Sequence, residues 1–160
     1  MEIPVWQRVL GLLVYLLPWS DAIPFGVGFN GVFNQIPVLR LLTIPAIPFF
    51  ALDQLIPYGL GGLLLFFVLL FAVVRNAEVP YFIRFNTLQA LLIDIVLIAL
   101  GFAINGILAQ MLPAGLLLST LKSAVVVAVL AIWIFATIEC VRGREPDLPG
   151  ISPAVRMQLY

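Results

Sequence analysis

The chain has 160 residues, of which 63% are hydrophobic and 10% are charged, and its formal net charge is zero. A soluble domain of this size needs a charged surface that this composition cannot supply, so the sequence predicts an integral membrane protein. No basic block suited to nucleic acid is present. With no histidine and one cysteine, Cys140, a single chain cannot form a disulfide framework or a histidine–cysteine metal site.

The first predicted helix covers residues 4–18, where Pro18 and the polar residues after it end the apolar run. It is short for a membrane span, so we expect aromatic side chains to anchor its two ends at the interfaces. Residues 20–58 follow and are mostly apolar, but they contain five prolines, too many for one straight helix. This segment should therefore form short interfacial or re-entrant helices, at about Val38–Thr43 and Pro48–Leu55.

Three further helices are predicted, over residues 59–75, 85–106 and 116–141. The first of these has no polar face, a pattern typical of lipid contact, and the second can continue past a kink as far as Met111. The sequence thus predicts an all-α integral membrane bundle of four helices, a single domain over residues 1–142. The polar tail, residues 143–160, is expected to be surface-bound or loosely ordered.

Positive charge is distributed unevenly between the two ends of this predicted bundle. Six arginines fall at the end that carries both termini: Arg8, Arg75, Arg84, Arg142, Arg144 and Arg156. The other end has Arg40, and Lys122 lies inside the fourth helix nearer to that end. Because arginine and lysine are retained on the cytoplasmic side, we expect both termini in the cytoplasm or in the stroma of a plastid.

The third helix has one polar face. At about 100° per residue, six positions fall within roughly a 100° arc: Asn86, Ala90, Asp94, Leu97, Gly101 and Asn105. Small and polar side chains on one face should look into protein or water instead of lipid. Four polar residues crowd the cytoplasmic mouth of this helix: Arg84, Asn86, Thr87 and Gln89. They form either a polar vestibule for a partner or a set of snorkelling and capping groups.

Asp94 is the one acid deep within a predicted span, ten residues or about 15 Å from Arg84 and near the bilayer midplane. It either lines a polar path for a substrate or a proton, or it is held structurally by the fourth helix. The partners available there are Lys122, Ser119 and Ser123. A lone acid makes no aspartyl dyad, and a chain without histidine has no serine–histidine site, so we predict no catalytic residue, cofactor or metal.

The string Pro80-Tyr-Phe-Ile-Arg-Phe-Asn-Thr-Leu-Gln-Ala90 followed by Asp94 resembles the twenty-kilodalton subunit family of the translocon at the inner envelope membrane of chloroplasts. It looks like the short forms of cyanobacteria and algal plastid genomes. Supporting pieces, in the same order along nearly the whole chain, are Pro24-Phe-Gly26, Phe33-Asn-Gln-Ile-Pro37, Val74-Arg-Asn76 and Pro149-Gly-Ile-Ser-Pro-Ala-Val155. The resemblance implies four helices with both termini stromal or cytoplasmic, a role in moving precursor proteins across or into the membrane, and no catalytic residues.

We therefore expect a non-enzymatic subunit of a preprotein import complex, in a cyanobacterial membrane or a plastid inner envelope. One four-helix chain cannot surround a polypeptide, so its partners should be lipids, precursor polypeptides, and either further copies or other membrane subunits. The alternative is a structural or assembly subunit of a larger complex, for instance a photosynthetic one, with no transport role. A translocation subunit should keep a hydrated groove along the polar face of the third helix, whereas a structural subunit should have that face fully packed.

Overall fold

The computed structural model describes residues 2–28, 30–57, 60–113 and 115–159. The expected start of the second helix, Gly59, lies outside these ranges. So do residue 58, which ends the expected interfacial segment, residue 1 of the expected domain and residue 160 of the expected tail. Within these ranges the chain is helical and has no strand, which confirms the all-α prediction. Four helical stretches are long and apolar enough to cross a membrane: Val5–Gly26, Pro37–Leu55, Tyr81–Met111 and Leu116–Val141.

The first helix runs on to Gly26, so the prediction that it ends at Pro18 is wrong. It consists of α1 (Val5–Leu13) and α2 (Leu16–Gly26), joined by a turn. At this turn the amide of Leu17 donates to the carbonyl of Val14, 3.2 Å away, the acceptor that residue 18 would use in a regular helix. Pro18 has no N–H and therefore fits the first turn of α2 without leaving a donor unpaired.

Residues 30–57 fold against the outer side of α2. They contain α3 (Val32–Gln35), a 3₁₀ helix (Pro37–Ala46) and α4 (Ile47–Leu55). The two short helices predicted here are thus joined into one longer helical stretch, because Pro37 and Pro48 both occupy first-turn positions, where proline needs no hydrogen bond. The stretch is fastened at its middle by Trp19, whose Nε1 donates to the carbonyl of Leu42 at 2.8 Å.

The helix expected next is α5 (Leu60–Val68), which continues as a π-helix over Leu69–Val74. Its two pieces have 9 and 6 residues, so together they are about 22 Å long, less than the hydrocarbon thickness of a bilayer. At one end the carbonyl of Val74 accepts from Nε of Arg84 at 2.9 Å. At the other end the amide of Gly62 donates to Oδ1 of Asp53 at 3.2 Å. This short helix therefore connects the start of the next helix with α4.

Two long helices complete the bundle. The third predicted helix is α6 (Tyr81–Gly101), which continues as a π-helix over Phe102–Leu108 and ends in α7 (Ala109–Met111). It thus reaches Met111 as expected and begins four residues before the predicted start. The fourth is α8 (Leu116–Val141), with the predicted bounds. Between α6 and α8 lies α2, where the rings of Trp19 and Trp133 stack with their centroids 5.7 Å apart.

The start of α1 and the end of α8 lie at the same end of the bundle. The side chain of Arg8 joins them, since Nη1 donates to the carbonyl of Val141 at 3.2 Å. The tail also returns to this end as α9 (Ile151–Leu159), which packs against α6 and buries Ser152 and Val155 completely. A loosely ordered tail is therefore a wrong expectation. Its overall polarity hid the apolar residues that α9 buries against the bundle.

Candidate functional site

The cytoplasmic mouth predicted on α6 is closed by the surrounding helices. Asn86, Thr87 and Gln89 are all fully buried. Oδ1 of Asn86 accepts from the hydroxyl of Tyr15 at 3.1 Å and from the thiol of Cys140 at 3.3 Å, so this one amide joins α1–α2, α6 and α8. Its Nδ2 donates to the carbonyl of Phe82 at 2.7 Å.

The tail covers Gln89, the next polar residue along this face. Its Nε2 donates to the carbonyl of Pro146 at 3.1 Å. The same carbonyl accepts from the hydroxyl of Ser152 at 3.2 Å, and that hydroxyl accepts from the amide of Leu148 at 2.7 Å. Arg84 is bound to Val74, so three of the four polar residues of the mouth fasten the π-helix after α5, α8 and the tail. The fourth, Thr87, has a buried hydroxyl without a hydrogen-bond partner among the described residues. Thr87 also lines a mainly apolar cavity between α1, α5 and α6.

Further along α6, Asp94 contacts an acid that lies outside the predicted spans. Its carboxyl group lies beside that of Asp21 in α2, and both line the same cavity. The prediction that Asp94 is the lone acid deep in a span is therefore wrong, because the first helix extends past Pro18 and carries Asp21 with it.

The expected partners of Asp94 in α8 lie elsewhere. Among the described residues no ion pair joins Lys122 to Asp94. Lys122 lines a separate cavity with Asn30 and Ser119, beyond the end of α2. The hydroxyl of Ser119 donates to the carbonyl of Leu116, and that of Ser123 is buried without a partner in the described part of the chain.

Asn105, the last residue predicted for this polar face, is exposed on the π-helix that follows α6. It lies outside the cluster formed by the other polar residues of the face. The π-helix widens the turn after Gly101, so the 100° spacing used for the prediction no longer holds there.

Asp21 and Asp94 line a cavity of about 280 Å³ between α2, α4, α5 and α6. A third acid, Asp53 of α4, lines it as well and accepts from Gly62, as described above. Ser20 is the other polar side chain among the described lining residues, and its hydroxyl donates to the carbonyl of Leu17 at 2.7 Å. We call this space the acid cavity. No three of the described His, Cys, Asp and Glu side chains come together as ligands for one metal ion.

Asp21 and Asp53 were missed because both fall in the proline-containing segment that was expected to lie apart from the bundle. One signal could have found Asp21. Leu17, Asp21 and Pro24 recur at helical spacing, with Ser20 beside them, so a helix continued past Pro18 places an acid on one face. Asp53 gives no such signal, since its position depends on how α4 packs against α5.

The sequence was compared with known proteins. A family model described as "Chloroplast import apparatus Tic20-like" matches residues 2–155. A Tic20 family protein of Synechocystis is 34% identical over 153 residues, which is 96% of this chain and 92% of the relative. Protein TIC 20-II, chloroplastic, of Arabidopsis thaliana is 28% identical over 98% of this chain and 74% of its own length. The Tic20 family protein Ycf60 of Gracilaria tenuistipitata is 26% identical, with 99% and 78% covered.

Proposed function

Because the chain belongs to the Tic20-like family of the chloroplast import apparatus, we propose that it is a non-enzymatic membrane subunit of a protein-translocation complex and contributes part of a polypeptide-conducting path. Its four apolar helical stretches suit a subunit that stays within the membrane. A single chain of this size cannot surround a polypeptide, so other subunits or further copies complete the path, and precursor polypeptides pass along it.

The observation that carries this proposal is the acid cavity. A subunit that only fills space in a complex gains nothing from three carboxyl groups around a cavity within the span, since ionisable groups at that depth are costly. The polar face of α6 is packed at Asn86 and Gln89 but opens into this cavity at Asp94. The cavity therefore supplies the polar surface that a passing chain needs.

The proposed membrane arrangement has four crossings, with both termini on the cytoplasmic or stromal side of a cyanobacterial membrane or a plastid inner envelope. In it Pro37–Leu55 and Leu60–Val74 together make the second crossing, as two pieces that meet at Asp53 and Gly62. Two observations support this arrangement. Leu60–Val74 is too short to span alone, and it ends beside Arg84, at the end of the bundle where most arginines lie.

A structural or assembly subunit is the second candidate. The closed mouth of α6 favours it, because Tyr15, Cys140 and the tail satisfy Asn86 and Gln89 without leaving a route for a polypeptide at that end. In this case the acid cavity would be filled by a lipid or by a neighbouring subunit.

Cross-linking to an arrested precursor separates the two candidates. A photoreactive residue at Leu63, which is 48% exposed and lines the acid cavity, should capture a precursor stalled during import in intact membranes. Leu117 is the matched control, since it is 68% exposed on α8 and should capture lipid only. Capture of the precursor at neither position, in a complex that still assembles, would favour the structural role.

A further inference from the structure

The acid cavity has an unbalanced set of charges. Asp21, Asp53 and Asp94 come from three different helices, α2, α4 and α6, and converge on one space. None of the described residues that line it is a lysine or an arginine. Arg40 and Lys122 each line a different cavity. Three carboxyl groups around an otherwise mainly apolar space are complementary to a positively charged group.

A second observation, independent of the clustering, is an unused acceptor. Asp94 is only 2% exposed, and its Oδ1 has no hydrogen-bond partner among the described residues. A buried acceptor without a partner is costly, by about 1–3 kcal/mol, so such atoms are rare unless something occupies the space beside them. Since Asp94 lines the acid cavity, this oxygen is available to a donor that enters it.

The contact between Asp21 and Asp94 also favours the binding of a cation. The two carboxyl groups lie side by side with no lysine or arginine among the described lining residues, so their charges repel when both are ionised. An entering cation with several N–H donors can relieve this repulsion and can also reach Oδ1 of Asp94. Asp53 is already turned to the same space, with one oxygen held by Gly62.

The size and depth of the cavity restrict which kind of cation can bind there. A volume of about 280 Å³ is at the lower limit for small-molecule pockets and suits one side chain. Asp94 lies about 15 Å along the helix from Arg84, so a lipid head group at the membrane surface does not reach it. The described acids are also not grouped as ligands of one metal ion. A basic side chain of a polypeptide meets all three conditions.

Resting on the function proposed above, we propose that the acid cavity binds the guanidinium or ammonium group of a basic side chain in the polypeptide that passes this subunit. A guanidinium carries five N–H donors in a fixed plane and pairs with two carboxylates at once. Chloroplast transit peptides are rich in arginine and serine and poor in acids, so precursors of this kind present the required group. The cavity would hold one basic residue at a time and release it as the chain advances.

The test uses the purified full-length protein in detergent and two labelled serine-rich peptides. One peptide contains a single arginine, and the other has citrulline, which has nearly the same shape without the charge. The arginine peptide should bind about tenfold more tightly, because charge-assisted hydrogen bonds to a buried carboxylate are strong. Asp21→Asn and Asp94→Asn should each abolish this difference, whereas Asp147→Asn, at an exposed tail acid, should preserve it.

Equal affinity of the two peptides for the unaltered protein would overturn the proposal, as would a difference that persists in Asp21→Asn. If Asp94→Asn does not fold, as judged by its thermal melt, then Asp21→Asn and Asp53→Asn decide the outcome. The test also distinguishes failure of the cation site from failure of the proposed function. Cross-linking of a stalled precursor at Leu63 together with equal peptide affinities would leave the translocation role intact and remove the cation site. An arginine preference without cross-linking would support the cation site and count against the translocation role.

Discussion

The carboxyl groups of Asp21 and Asp94 meet between α2 and α6, so the acid of the third long helix is paired with the first long helix instead of the fourth. This contact joins two positions that lie in different parts of the sequence and carry the same charge when ionised. It also determines what substitution at Asp94 should do. The partner that matters is a carboxyl group, and no ammonium group loses its counter-ion.

Asp94→Asn should therefore change the free energy of unfolding by less than about 1 kcal/mol, because the amide N–H can donate to Asp21 and an amide does not repel that carboxyl group. Combining it with Lys122→Met should give additive effects, within about 0.3–0.5 kcal/mol, since the two residues line separate cavities. Combining it with Asp21→Asn should not be additive. Thermal melts of the singles and doubles in detergent measure this, and coupling to Lys122 alone would show that the ion pair with α8 forms after all.

The junction of α4 and α5 can be tested with two neighbouring glycines. A Cβ added at Gly61 would lie 2.6 Å from both the Cα of Asp53 and the carbonyl oxygen of Leu52, and neither backbone atom can rotate away. Gly61→Ala should thus destabilise the protein by about 1–3 kcal/mol through overpacking. Gly62→Ala is the matched control, because its Cβ meets only Oδ1 of Asp53 at 3.9 Å. Equal melting temperatures for the two variants would mean that α4 and α5 do not meet here.

The docked tail makes a prediction about proteolysis. Val155 is fully buried against the bundle and Met157 is 76% exposed, although both belong to α9. A charge at Val155 must be desolvated or α9 must detach, so Val155→Asp should expose the tail to trypsin at Arg144 and Arg156. Met157→Asp should leave the cleavage rate at Arg144 unchanged, which is the bond to compare because residue 157 adjoins the bond after Arg156. Identical rates for the two variants would indicate a tail that is free in solution.

Labelling can test the proposed membrane arrangement. Single cysteines at Asn76 and Met157 should react with an impermeant thiol reagent from the cytoplasmic or stromal side, and one at Asn30 should react only from the other side. The three positions are exposed, and the native Cys140 is buried, so the background should be low. Reaction of Asn30 and Asn76 from the same side would rule out four crossings.

Much of the fold follows from local patterns, and the errors come from contacts between distant residues. The bounds of α8 could be predicted because a turn signal and an arginine-containing end flank a long apolar run. The end of the first helix could not, because Pro18 is a helix breaker by every local rule, and the turn that accommodates it is set by packing. Because the predicted helix stops at Pro18, Asp21 was not placed within the bundle.

The candidate site, like the fold, could be predicted only in part from local patterns. The spacing on α6 put Asn86 and Asp94 on one face, with Gln89 beside it, and all three side chains are buried. Their partners lie far away in the chain, Tyr15 at 71 positions from Asn86 and Pro146 at 57 positions from Gln89. No local pattern identifies such partners, and the choice between an open and a packed face depends on them.

The stack of Trp19 on Trp133 gives this protein a built-in optical reporter. The chain has three tryptophans, and two of them lie face to face between α2 and α8 with an interplanar angle of 3°. Their transitions couple only while the two helices touch, so the near-ultraviolet dichroism follows tertiary packing, and the far-ultraviolet signal follows helix content. A detergent that separates the helices without melting them can therefore be recognised spectroscopically, with no label introduced.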